Sequence, residues 1–295
     1  MNLFAELNAV DCVGLPRFTS QQAKAVVDRV RSTGALVCDP PACEGRGIVI
    51  AGGGRYLSWS WVLVRKLRSM GCNLPIQVWH LGSNEMPGKA SELFKQLDCE
   101  TVDAHQVMMS HPVREIGGWP LKTYAVRHCP WRTVYYLDAD CFAEILPEEI
   151  LNDKDVKKLG SVFLNDVGHH HGPWGFISCS LMTPEKEWET GQFVWDKVSG
   201  WMALRWAMWM SEHTDVFYHA DNFFGDKGTI HASFLMSHCP YLMAGPSTWE
   251  GYGIKHQFKD RHAWSHMMAC KRGEWPKPPW MQAAFEEWDS IKLSL

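Results

Sequence analysis

The chain lacks several of the patterns by which protein classes are recognised. Its ten cysteines include no C-x-x-C pair, which argues against a zinc ribbon or a thioredoxin-type redox site. No apolar run approaches the ~18 residues of a membrane span, and the N-terminus has no basic segment leading into an apolar one. We therefore expect a soluble, cytoplasmic protein with reduced thiols and no membrane contact.

An excess of positive charge is also missing. The net charge of -4 gives no electrostatic footprint for nucleic acid or for anionic membrane. The phosphate-binding patterns G-x-G-x-x-G and G-x-x-x-x-G-K-S/T are absent as well. The segment AGGGRY (51–56) is nevertheless a glycine turn whose backbone can approach a nucleotide closely, and Arg55 is available for phosphate.

The chain does contain a regular alternation of strand-like and helix-like segments between residues 47 and 140. Short β-branched runs such as GIVI alternate with amphipathic segments such as SWSWVLVRKLRSMG, which predicts an α/β fold with a mainly parallel sheet. Ligands of such sheets bind beyond the carboxyl ends of the strands. We expect a single domain over 1–295, with an N-terminal helical extension (1–46), a core (47–272) and a C-terminal tail (273–295). Most of the sixteen tryptophans are expected to pack in the core.

Two aspartates separated by one alanine follow the strand-like run in YYLDADCF (135–142). Residues i and i+2 of an extended segment point the same way, so Asp138 and Asp140 present two carboxylates to one spot. Oxygen ligands of this kind suit Mg²⁺ or Mn²⁺ and leave coordination positions for a diphosphate. The alternative at this stage is an acidic turn that caps the next helix.

Five segments in order resemble the GT-A glycosyltransferases related to fungal α-mannosyltransferases. The first, GWPLKTYAVRHCPWRTVYYLDADCFAEILPEEIL, carries a lysine-bearing helix, an apolar strand and L-D-A-D. The others are GSVFLND (160–166), WETGQFVWDK (188–197), FFGDKGTIHASF (223–234) and HQFKDRHAWSHMMACKR (256–272). The resemblance covers about residues 47–272 and implies the Rossmann-like GT-A fold of nucleotide-diphospho-sugar transferases.

The resemblance also implies roles for individual residues. The metal, Mn²⁺ or Mg²⁺, would be held by Asp138, Asp140 and His266. The donor, a UDP- or GDP-sugar, would be bound by Ala51, Gly52, Gly53, Arg55, Lys122, Asp138, Asp166, Lys227 and Lys271. Catalysis and the reading of sugar hydroxyls would fall to Asp226, Gln192 and Glu189, and the α-linkages of the family imply retention. Lys227 is also placed to pair with its neighbour Asp226.

The sequence departs from the family pattern in two respects, of which the second leaves the acceptor and the compartment open. Thr190 stands where the family has serine, and no membrane anchor or luminal stem is recognised. The acceptor is therefore either a carbohydrate or, as in viral enzymes, a hydroxymethylated pyrimidine in DNA. A sugar nucleotidyltransferase and a non-catalytic sugar-binding module are the remaining alternatives. The tripeptide His169–His171 suggests an acceptor-side role more than a metal site.

Overall fold

The computed structural model describes residues 37–114, 116–167, 187–218 and 225–292, together with 25, 28, 29 and 32–34. The predicted N-terminal extension lies largely outside the described residues, and His169–His171 lie wholly outside them.

The first part of the chain alternates strands and helices, as the sequence predicts. Its elements are β1 (Glu44–Ala51), α1 (Leu57–Ser69), β2 (Ile76–His80), α2 (Gly88–Gln96), β3 (Cys99–Asp103), α3 (Ala104–Ser110), α4 (Pro120–His128) and β4 (Trp131–Asp138). Each segment predicted between 47 and 140 forms the element type expected of it. Proline at the first position of α4 fits a helix start, because its missing N–H has no partner there in any case.

The second part of the chain mixes short helices with antiparallel strands. Its elements are β5 (Cys141–Ala143), α5 (Pro147–Asn152), α6 (Lys154–Leu159), β6 (Val162–Asn165), β7 (Trp188–Asp196), α7 (Trp201–Ser211), α8 (Thr214–Phe217), α9 (Asp226–Ser237), β8 (Leu242–Met243), β9 (Ser247–Glu250), β10 (Gly253–Phe258), β11 (Arg261–His266), α10 (Met268–Arg272) and α11 (Pro279–Lys292).

A seven-stranded sheet in the order β3-β2-β1-β4-β7-β6-β8 forms the centre of the molecule. Every neighbouring pair is parallel except those made by β7, which runs antiparallel to β4 and β6. The α/β class and the mainly parallel sheet are thereby confirmed. The register places Ala51 beside Asp138, so the glycine turn after β1 and the aspartates after β4 meet at one edge of the sheet.

A second sheet, in the order β5-β11-β10-β9, lies beyond that edge and is entirely antiparallel. Its strand β5 begins directly after Asp140, and Cys141 of β5 is the cross-strand partner of His266 on β11. The small sheet therefore places His266, which lies far along the chain, next to the end of β4. The sequence predicts no such sheet, because residues 256–272 are recognisable only as a family motif.

Apolar packing on both faces of the central sheet explains the high tryptophan content. Among the described residues, ten tryptophans are buried: Trp59, Trp61, Trp79, Trp188, Trp195, Trp201, Trp206, Trp209, Trp264 and Trp288. The tail helix α11 packs on α1, where Trp288 contacts Trp61 and Phe285 contacts Trp59. The prediction that most tryptophans pack in the core is confirmed for the described residues.

None of the helices within the described ranges is long and apolar enough to cross a membrane.

Candidate functional site

The glycine turn after β1 is held in place from both sides. Gly52 donates its N–H to the Trp79 carbonyl (3.0 Å), and its own carbonyl accepts from the Ser60 hydroxyl (2.7 Å). Gly54 has a positive φ of 56°, a conformation that glycine adopts without strain. Arg55 is exposed, so its guanidinium group is accessible to solvent beside the glycine turn. The guanidinium carbon lies 4.8 Å from the centre of the Tyr56 ring.

Gly52→Ala is expected to destabilise the protein strongly. A Cβ there would overlap the Ser60 hydroxyl and would lie 3.2 Å from Ser60 Cβ and 3.3 Å from Ala139 Cβ. Overpacking in such a place costs about 1–3 kcal/mol. The check is the free energy of unfolding in urea, where Gly52→Ala combined with Ser60→Ala should recover part of the loss. A single variant as stable as the wild type would contradict this packing.

Lys122 forms the centre of a buried ion network. Its Nζ lies 3.1 Å from Asp138 Oδ2 and 2.7 Å from Asp226 Oδ2, and it donates to the Thr190 carbonyl (2.7 Å). Burial opposes the charged amine, but Asp138 and Asp226 raise the pKa of Lys122 above its ordinary value. The lysine therefore stays charged and links the end of β4 to the start of α9.

Asp138 receives a second contact from the Tyr136 hydroxyl, which donates to its Oδ1 (2.6 Å). Burial raises the pKa of this carboxyl, while Lys122 opposes that effect. The Thr190 hydroxyl donates to Asp226 Oδ2 (2.9 Å), so the residue that departs from the family pattern still supplies a hydroxyl to the network.

Asp140 belongs to a second cluster. Its Oδ2 lies 3.4 Å from His266 Nε2 and 2.5 Å from Lys271 Nζ. Burial opposes its ionisation, yet His266 and Lys271 hold the pKa of Asp140 well below its usual range. Although burial disfavours a charged ring, the adjoining carboxylates of Asp140 and Glu189 raise the pKa of His266 well above its ordinary value. Asp140 is therefore an anion with two cationic neighbours.

Cys141 is part of this cluster, although no motif predicts a role for it there. Ligand atoms of Asp140, Cys141 and His266 lie within 4.8 Å of one another, and all three residues are buried. Asp138 is outside this group, and its carboxylate contacts Lys122 instead. Burial raises the pKa of the Cys141 thiol to about 12, so the sulfur is protonated and is a poorer ligand for a hard cation than the aspartate oxygens.

Glu189 and Gly191 close the cluster on the side of β7. Glu189 Oε1 lies 3.6 Å from His266 Nδ1 and accepts the N–H of Gly191 (2.9 Å). Burial opposes ionisation of Glu189, but His266 lowers its pKa well below the usual range. A Cβ on Gly191 would lie 2.6 Å from the Cys141 sulfur and 3.2 Å from His266 Cε1, so only glycine allows β7 to approach the cluster this closely.

Gln192 lies beside the end of β4, opposite Leu137 in the sheet register. Its side chain is fully buried, and neither its oxygen nor its nitrogen has a hydrogen-bond partner among the described residues. A buried amide without partners costs about 1–3 kcal/mol per group. Such an amide fits a position that a ligand completes.

Lys227 and Asp226 do not pair with each other, as the sequence suggested they would. Asp226 contacts Lys122, whereas Lys227 Nζ lies 2.7 Å from Asp166 Oδ2 and 3.4 Å from Glu187 Oε2. Consecutive residues of a helix project in different directions, which explains why the two separate. Lys227 and Asp166 thus remain candidates for donor binding, and they form one ion pair at the start of α9.

Comparisons with known proteins agree with the predicted resemblance. Residues 45–171 match the profile of a family described as "Mannosyltransferase putative". The alpha-1,2-mannosyltransferase MNN2 of Candida albicans is 23% identical over 133 residues, which make up 43% of this chain and 22% of that protein. The chain therefore spans about a fifth of the length of this curated relative. The resemblance to this type of glycosyltransferase is confirmed.

Solved structures similar to this one are also glycosyltransferases. The galactosyltransferase LgtC, in complex with donor and acceptor sugar analogs, has 13% identity and a TM-score of 0.44, covering 68% of this chain and 73% of that chain. Mouse xyloside xylosyltransferase 1 has 13% identity and a TM-score of 0.44, covering 69% of this chain and 85% of that chain.

Proposed function

We propose that this chain is a glycosyltransferase that takes a sugar from a nucleoside-diphosphate donor at the adjoining ends of β1 and β4 and transfers it to a carbohydrate hydroxyl. The observation that carries this proposal is the position of Asp140. It is buried beside His266 and Lys271 at the edge where the glycine turn also ends. The carboxyl ends of parallel strands are where such sheets bind ligands, and Asp140 and Lys271 there offer an anion for a cation and a cation for a diphosphate.

A divalent cation fits the residues present. Asp140 offers an oxygen donor, and His266 in the same buried cluster would offer a ring nitrogen once the cation displaced its proton. Asp138 would join them as the third ligand by releasing Lys122. Bound Mn²⁺ or Mg²⁺ would neutralise charge on the departing nucleoside diphosphate.

The other residues position the donor and the acceptor. Arg55 and the backbone of Ala51, Gly52 and Gly53 would contact the nucleotide, and Lys271 the diphosphate. Lys122 fixes the carboxylate of Asp226, and that carboxylate, Glu189 and the unpaired Gln192 amide would bind sugar hydroxyls. Asp226 or Gln192 would face the anomeric carbon, and transfer would proceed with retention.

Product analysis with a panel of UDP- and GDP-sugars, each with Mn²⁺ and with EDTA, tests the proposal. We expect one donor to yield free nucleoside diphosphate and a glycosylated acceptor only when metal is present. Formation of a nucleotide sugar and pyrophosphate from sugar phosphate and a nucleoside triphosphate would identify a nucleotidyltransferase instead. Metal and nucleotide binding without hydrolysis or transfer would identify a binding module. Transfer to hydroxymethylated DNA, for which no described residue gives support, is a further arm of the assay.

Lys271→Met is expected to change metal and donor binding in opposite directions. The ammonium group contacts Asp140 Oδ2 at 2.5 Å and therefore competes with a cation for that oxygen. Methionine keeps the apolar stem but removes the charge. We expect about tenfold tighter Mn²⁺ binding and about tenfold weaker nucleoside-diphosphate binding, each a difference of about 1.4 kcal/mol.

Calorimetric titration of Mn²⁺ and then of the nucleotide measures both effects. Arg272→Met is the matched control, because Arg272 is exposed and pairs with Glu274. Parallel changes in both affinities, or none, would contradict the competition.

A further inference from the structure

Trp119 is a large aromatic side chain left exposed beside the most buried charges of the site. Its relative exposure is 53%, whereas most of the described tryptophans are buried. It lies immediately before α4, three residues from Lys122, and the Lys122 N–H donates to the Trp119 carbonyl (3.1 Å). Residues three apart on a helical turn are neighbours on its surface. The indole therefore stands one turn away from the buried ion network.

A second contact places the ring at the start of α9. A Cβ on Gly225 would lie 3.3 Å from Trp119 Cε3, so the indole packs directly on this glycine, and the next residue is Asp226. The Tyr218 ring meets the indole edge-on at 5.8 Å and fixes its tilt. The ring is thus tied to both Lys122 and Asp226 while much of its surface remains open.

We infer that Trp119 is the stacking platform for the acceptor sugar, an inference that rests on the proposed function. A flat indole can cover the apolar face of a pyranose ring while the hydroxyls at its edge remain free for hydrogen bonds. An acceptor hydroxyl held there lies beside Asp226, where transfer is proposed. The platform restricts the acceptors to those in which the reacting hydroxyl belongs to a sugar ring.

The base of the nucleotide donor is the other flat group that could stack on an indole. The proposed donor site lies elsewhere, at the end of β1. The glycine turn and Arg55 follow β1, and the Tyr56 ring there lies 5.4 Å from Lys271 Nζ. Lys271 in turn contacts Asp140, which locates the diphosphate end of the donor near Tyr56. Trp119 belongs instead to the Lys122–Asp226 end of the site, beyond the transferred sugar.

Fluorine NMR of the full chain labelled with 5-fluorotryptophan tests the inference. Trp119→Phe assigns its resonance among the sixteen tryptophans. Mn²⁺ and a nucleoside diphosphate are added first, and then methyl α-mannoside, methyl β-galactoside and methyl β-glucoside in turn. We expect the nucleotide to leave the Trp119 resonance in place and one glycoside to shift it saturably. Trp280 is the matched control, because it is also partly exposed (38%) but packs on Phe142. Successive residues of a strand point to opposite faces, so Phe142 and Trp280 lie on the face of β5 opposite to Cys141 and its cluster.

Kinetics provide the second measurement. Trp119→Ala should raise the KM for the acceptor about tenfold, as expected for loss of one aromatic stack, and leave hydrolysis of the donor by water unchanged. A Trp119 resonance that moves with the nucleotide alone would assign the ring to the donor base and overturn the inference. No shift with any glycoside, in protein that binds nucleotide and metal, would overturn it too. Failure of the protein to bind nucleotide with metal would instead reject the proposed function itself.

Discussion

Asp140→Asn is expected to lower transfer by at least about a hundredfold while the chain remains folded. The carboxylate is 3% exposed and contacts both His266 and Lys271, so it is the anion on which the proposed metal site depends. Asparagine keeps the size of the side chain but removes the charge. His266 can then release its proton, which limits the loss of stability. Initial rates with saturating donor, together with circular dichroism, provide the measurement.

Glu149→Gln is the control for this experiment. It makes the same change of a carboxylate to an amide, but Glu149 is exposed and pairs with Arg261 at the surface (2.8 Å). A surface pair of this kind contributes about 0–1 kcal/mol, so activity and stability should both remain near wild type. Undiminished transfer by a folded Asp140→Asn protein would refute the assignment of Asp140.

Lys122→Met is expected to destabilise the protein by about 3–5 kcal/mol and to abolish transfer. The amine is 4% exposed and lies between Asp138 and Asp226. Its removal leaves the buried carboxylate of Asp226 and the partly exposed carboxylate of Asp138 without their shared cation. Urea denaturation at neutral pH measures the loss of stability.

Two further variants separate this effect from a general cost of losing a lysine. Lys259→Met removes a lysine that contacts Asp153 and Asp155, but this cluster is largely exposed, so a change of less than about 1 kcal/mol is expected. Lys122→Met combined with Asp226→Asn removes one of the two stranded charges and should recover part of the stability without activity. Equal losses for the Lys122 and Lys259 variants would contradict the network.

The fold of residues 47–140 could be predicted from the sequence because short apolar runs alternate there with amphipathic segments. The β-branched run before Ala51 specifies a buried strand, and the spacing of Trp59, Leu63 and Leu67 specifies an amphipathic helix. Later elements were harder to predict. The strand β7 pairs antiparallel with both β4 and β6, and a short motif does not specify the direction of a strand.

The residue types of the site could be predicted, but their partners could not. Lys122 and Asp226 lie in separate motifs, and only the packed structure brings them within 2.7 Å. Nothing in the sequence indicates the cross-strand pairing of Cys141 with His266. Adjacency in sequence suggests that Lys227 pairs with Asp226, whereas the helix directs Lys227 to Asp166. Side-chain partners follow from register and helix phase, which short motifs do not specify.

Binding of UDP and GDP to the wild type and to Asp140→Asn, each with Mn²⁺ and with EDTA, tests the central claim most directly. A ligand that binds only the folded state raises the melting temperature, and at about a hundred times its Kd it adds about 2.7 kcal/mol of stability. We predict that one nucleotide raises the Tm of the wild type only with Mn²⁺, and that the shift disappears in Asp140→Asn. A shift that survives EDTA or the substitution, or no shift with either nucleotide, would contradict a metal-dependent donor site at Asp140.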